Sequence, residues 1–163
     1  MVDTSELLLV IGAMVLLSVA IINVNRTNAL NDIVLMESEL EYTGIAIGQN
    51  IIDEARAKSF DENCVSSTPN NVPAGFTRFS KFGGTNDGET YANFDDFDDY
   101  HGMSRTENTK HGVYQVTANV SYVSETNPNT ASNNKTLYKR MNVIVSSDFL
   151  PNQIQLSYVK TYQ

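Results

Sequence analysis

A chain of 163 residues is long enough for one domain with a modest core, and its formal charge of −8 sets it against nonspecific attraction to nucleic acid or to anionic lipid headgroups. Within this sequence Cys64 is the one cysteine and the two histidines lie far from it, which excludes an internal disulfide and a zinc signature; there is no nucleotide-binding Gly-rich loop either. Cys64 reads as a plain thiol in the core or a loop, and the carboxylates gather without a paired histidine or nucleophile, so no enzyme is expected.

The N-terminal element is the most distinctive. After the acidic MVDTSE, the run from Leu7 to Val24 (LLLVIGAMVLLSVAIINV) carries neither charge nor proline. At about 18 residues it is near the lower limit for a helix that crosses a bilayer. It lacks the basic n-region of a cleavable secretory signal, and as an ordinary anchor it would place Arg26 in the cytoplasm by the positive-inside rule. Glu6 stands at the mouth of the run, where a carboxylate entering hydrocarbon needs a partner. Two readings are open. Glu6 stays at headgroup level and complements the positive end of the helix, with Thr4 or Ser5 as N-cap, or it meets the N-terminal amine of a neighbouring copy inside a helix bundle and sets the axial register.

The segment SELLLVIGAMVLLSVAI resembles the N-terminal helix of type IV pilins and of type II secretion pseudopilins, in which a glutamate near the mature N-terminus precedes a long apolar run. The later segment IIDEARAKSFDE is similar to the end of that helix in pilins of the mannose-sensitive haemagglutinin type and related minor pilins. Removal of Met1 would place Glu6 fifth, where the family has its glutamate. No basic residue precedes Leu7, so a processed or nearly leaderless product is expected. The resemblance implies an assembly surface of Glu6, Leu7, Leu8, Leu9, Ile11, Met14, Leu16, Leu17 and Ile21. It implies copies of the same chain as the main partner in a helical homopolymer, the cytoplasmic membrane as host before assembly, and contact with pilus assembly or secretion machinery. The destination would be an extracellular filament on the cell surface.

No proline occurs before Pro69, and the helical pattern extends from about Ser5 to about Ser59, a rod of roughly 80 Å. Past Arg26, the apolar positions Leu30, Ile33, Val34, Leu40, Ile45, Ile47, Ile51, Ile52 and Ala55 recur at three- and four-residue spacing with acids between them, a stripe suited to carry a sheet. Gly44 and Gly48 lie four apart on one face, admitting either ordinary helix-to-sheet packing or a close approach of another backbone.

Residues 60–112 are rich in Asn, Asp, Gly, Ser and Thr and read as a long structured loop. Within it, NFDDFDDYHG alternates Phe94, Phe97 and Tyr100 with Asp95, Asp96, Asp98 and Asp99. The aromatics would pin the loop while the oxygens cluster at its surface. Those four aspartates are either ligands of a calcium ion, which takes about six to eight hard oxygens, or a solvated acidic loop with local backbone caps; calcium is the one cofactor the chain suggests. Residues 113–163 then hold three alternating segments, VYQVTANVSYV, LYKRMNVIVSS and QIQLSYVKTY, with the polar SETNPNTASNNK and the short DFLPN as connections. Asn25, Asn119 and Asn134 each begin an N-x-S/T triplet, a pattern too short to decide glycosylation.

The expected fold class is therefore α+β: a long N-terminal helix, apolar in its first half and amphipathic in its second, with an antiparallel sheet packed on the second half in the manner of a pilin. The expected function is that of a structural filament subunit. A pseudopilin of a secretion system and a membrane-anchored ligand-binding module are the alternatives.

Overall fold

The computed structural model describes residues 3–63 and 71–162; Met1 and Cys64 lie outside them. The first element, α1, runs Thr4–Ala57. Its first intrahelical bond, Leu7 N–H to the Asp3 carbonyl at 3.1 Å, puts Asp3 at the N-cap position, so Thr4 and Ser5 are already helical. Hydroxyls along the apolar half turn back onto the preceding turn, Ser18 Oγ to the Met14 carbonyl at 2.8 Å and Thr27 Oγ1 to the Asn23 carbonyl at 3.0 Å. A polar group that donates within its own helix needs no water.

The chain divides into two compact units, residues 1–39 and 40–163. In the first, every residue from 3 to 37 is exposed. In the second, the remainder of α1 buries Leu40, Gly44, Gly48, Ile51, Ile52 and Ala55, a stripe at three- and four-residue spacing. Leu30, Ile33, Val34 and Ile45, expected on that stripe, are exposed. The sheet-facing stripe begins only at Leu40, because the side chains that cover it come from one small sheet.

That sheet is built from β1 (Met103–Thr109), β2 (Gly112–Val123), β3 (Ala131–Ser132), β4 (Tyr138–Ser146) and β5 (Ile154–Thr161). The order β1-β2-β4-β5 is an antiparallel meander, with β3 paired to β2 beside it. β2 and β4 follow the alternation of their sequence: Tyr114, Val116, Ala118, Val120 and Tyr122 face the core, as do Lys139, Met141, Val143 and Val145. Val116 lies opposite Val145, Val120 opposite Met141, and Tyr122 opposite Lys139. Two strands fall where loop was expected: β3 inside SETNPNTASNNK, and β1 inside residues 60–112, which also hold the short helix α2 (Gly84–Asp87) and 3₁₀ turns at Phe79–Lys81, Tyr91–Asn93 and Asp98–Tyr100. β1, MSRTENT, is an edge strand that buries only Met103, so it needs no apolar alternation and shows none.

α1 and β5 meet in a matched register. A Cβ on Gly44 would lie 2.6 Å from Ile154 Cδ1, and one on Gly48 would lie 2.7 Å from Leu156 Cδ1. Four helical residues advance about 6 Å and two strand residues about 6.6 Å, so each helical turn meets one inward residue of β5. What approaches the glycines is side chain, as ordinary helix-to-sheet packing requires. At the end of α1, Lys160 of β5 donates to the carbonyls of Arg56 (3.1 Å), Lys58 and Ser59 (3.2 Å). The Arg56 carbonyl is one of those that a helix end leaves without internal partners, and Lys58 and Ser59 follow just past that end.

Candidate functional site

Two features carry candidate function, the apolar half of α1 and the acidic motif of residues 93–102. In the first, Glu6 lies in the opening turn and is exposed. Leu7, Ile11, Met14 and Ile21 recur at the spacing of one helix face, while Leu8, Leu9, Leu16 and Leu17 occupy the remaining circumference. All are at least half exposed, from 50% at Ile11 to 75% at Leu9. A helix apolar on every side is ordinarily buried in protein or in lipid. α1 is long and apolar enough to cross a membrane, and none of its most apolar 18-residue window is covered.

The acidic motif differs from its expected arrangement. Phe94, Phe97 and Tyr100 are buried as anticipated, but so are Asp96, Asp98 and Asp99; of the four aspartates only Asp95 is exposed. The motif is thus neither a solvated loop nor a single cluster of surface oxygens. Its aspartates bind their own backbone: Asp96 Oδ1 accepts from the N–H groups of Asp98 (2.8 Å) and Asp99 (3.2 Å), and Asp99 Oδ2 accepts from those of Asp95 (3.0 Å) and Asp96 (2.9 Å). Asp96 Oδ2 also accepts from Glu62 N–H at 2.8 Å. These bonds tie the motif to the chain just after α1, where Ser59 N–H meets the Asp95 carbonyl at 3.1 Å. Gly83 closes the other side with φ 101° and its N–H on the Asp98 carbonyl; a Cβ there would sit 2.7 Å from the His101 carbonyl oxygen, so only glycine fits.

The set of carboxylates that could share a cation is correspondingly different. Glu89, Asp95 and Asp99 offer oxygens within 4.8 Å of one another, whereas Asp96 and Asp98 are engaged elsewhere. Burial pushes the Glu89 carboxyl up to about 7, with Asp99 and Asp95 adding like-charge repulsion. Burial also raises Asp96, with Asp99 contributing.

Asp98 meets a residue that reading for acidic motifs passed over. Lys139 of β4 is fully buried, and its Nζ contacts Asp98 Oδ1, Asp61 Oδ2 at 2.9 Å and the Phe60 carbonyl at 2.7 Å. The rings of Phe60, Phe82 and Tyr122 surround it at 4.6, 5.0 and 5.4 Å. Asp61, also fully buried, accepts in addition from Thr77 N–H (2.9 Å), Thr77 Oγ1 (3.2 Å) and Asn63 N–H (3.2 Å). Burial pushes the Asp98 carboxyl up to about 8, and the Lys139 ammonium holds it from rising further. A signal for Lys139 did exist: it stands in phase with Met141, Val143 and Val145, on the face of β4 that must enter the core.

No protein-family model, curated protein or solved structure matches this chain.

Proposed function

We propose that the chain is the structural subunit of an extracellular type IV pilus-like filament, which polymerises through the apolar half of α1. The observation that carries this reading is the segment Leu7–Val24, apolar on all sides and exposed along its length among the described residues. Full burial of a large aliphatic side chain stabilises by about 1.5–3 kcal/mol, so covering this segment contributes on the order of 20 kcal/mol before the entropy of association. A bilayer can supply that cover before assembly, and a bundle of identical helices afterwards.

The sequence resemblance supports the same reading, as does Glu6, an acid at the mouth of the apolar run that a neighbouring N-terminal amine would neutralise inside such a bundle. The second unit, with net acidic character and an internally bonded 93–102 motif, would form the solvent-facing coat. Electron microscopy of material sheared from cells, with the subunit identified by mass, tests the proposal. Filaments containing the chain are expected. A chain that stays in the membrane fraction, and is monomeric in detergent under conditions that favour polymerisation, would instead make the helix a simple tether for a binding module.

A further inference from the structure

A buried lysine between two buried carboxylates is more than a salt bridge in its chemical potential. Lys139, Asp61 and the Asp98 side chain are at most 4% exposed, and the three aromatic rings around Nζ exclude water. The two carboxylates differ in their partners. Asp61 receives two donors from Thr77 and one from Asn63 besides the lysine. Among the described residues, no backbone N–H donates to the Asp98 carboxylate, so donors of the kind that Thr77 and Asn63 offer Asp61 are missing at Asp98. An amine held against a carboxyl in a dry, pre-organised site is set up for acyl transfer.

We propose that Lys139 and Asp98 become joined by an intramolecular isopeptide bond, formed without a cofactor once the domain has folded, with Asp61 relaying the proton. The ammonium proton of Lys139 first passes to the Asp98 carboxylate, which leaves a neutral amine facing a neutral acid. The nitrogen lone pair adds to Asp98 Cγ and forms the N–C bond. Asp61 takes a proton from that nitrogen and returns it to a hydroxyl of the tetrahedral adduct, the C–O bond breaks, and water departs. The balance is one ammonium and one carboxylate converted to one secondary amide and one water, with no oxidant or reductant. Two buried charges disappear, and Asp61 keeps its own through Thr77 and Asn63. The product would clamp the motif after α2 to the first residues of β4. This inference does not depend on the filament reading.

Intact-mass spectrometry of the full-length folded chain tests it. The expected mass is lower than the sequence mass by one water. In a tryptic digest, cleavage after Lys139 should be lost, and a branched peptide should place the missing water between Lys139 and Asp98. Lys139→Arg should restore the full sequence mass. Asp98→Asn should lose ammonia in place of water, and Asp61→Asn should slow the loss. A full sequence mass with normal cleavage at Lys139 overturns the proposal, as does a water loss confined to one linear peptide. A branch at Asp61 would overturn the choice of Asp98, and an unchanged rate in Asp61→Asn would remove the relay.

Discussion

The register between α1 and β5 makes a sharp prediction about two glycines that look alike in the sequence. Alanine is favoured over glycine in a helix by about 1 kcal/mol, so Gly44→Ala and Gly48→Ala start with the same gain. The new methyl at position 44 meets Ile154 Cδ1 at 2.6 Å, the far end of a half-buried side chain, and only ordinary contacts otherwise. Ile154 can move aside. At position 48 it meets Leu156 Cδ1 at 2.7 Å and also Val145 Cγ2 at 3.2 Å. Val145 is fully buried and stands opposite both Val116 and Ile154. With a stiff β-branched χ1 it has nowhere to go.

Overpacking of that kind costs about 1–3 kcal/mol, so Gly48→Ala should lose about 1 kcal/mol net while Gly44→Ala stays neutral or gains slightly. Gly48→Val adds bulk without the propensity gain and should lose about 3 kcal/mol. The chain has no tryptophan and eight tyrosines, all from Tyr42 onward, so tyrosine fluorescence during urea unfolding of the full-length protein in detergent reports on the second unit. With slopes of about 1–3 kcal/mol per molar, the two alanine variants should differ in midpoint by about 0.3 M or more. Gly48→Ala as stable as Gly44→Ala would refute the packing described.

Other outcomes rest on the same geometry. Glu6→Ala or Glu6→Leu should lower filament yield while membrane insertion continues; normal yield would remove the register role proposed for Glu6. Lys139→Met leaves Asp61 and Asp98 buried without their cation and should cost about 3–5 kcal/mol in urea unfolding. Adding Asp98→Asn to it should recover part of that loss. Because Glu89 is raised from 4.5 to about 7 in the fold, the folded state binds more protons than the unfolded state between those values. Its contribution is present at low pH and lost as pH rises through about 7. Thermal unfolding from about pH 4.5 to about pH 7.5 should show that decline, to which the raised Asp98 and Asp96 carboxyls add, and Glu89→Gln should make it shallower; an identical slope in the variant would exclude a contribution from Glu89.

The elements legible in the sequence are those with a period and an unbroken length. α1 shows as an uninterrupted, proline-free run, and β2, β4 and β5 as alternating segments, because each turns one face inward, buried in β2 and β4 and half-buried in β5, and that face imposes its spacing on the residues. β1 and β3 leave no such trace, since an edge strand or a two-residue ladder is held by backbone bonds that any polar sequence can make. The acidic motif was half legible: its aromatics announced themselves as anchors, but whether its acids faced solvent depended on residues far along the chain. Asp61 and Asp98 lie 78 and 41 positions from Lys139, and a lysine in a strand says nothing by itself about which carboxylates it will meet.

Sequence alone therefore determined the long helix, its apolar first half and the antiparallel character of the sheet beyond it, since these depend on local propensity and hydrophobic period. Only the tertiary structure decided that the sheet-facing stripe starts at Leu40, that Asp96, Asp98 and Asp99 turn inward, and that Asp98 shares a dry core with Lys139 and Asp61. The physical reason is that burial of a charge is a property of its partners, and those partners are brought together only when β4 closes over the motif.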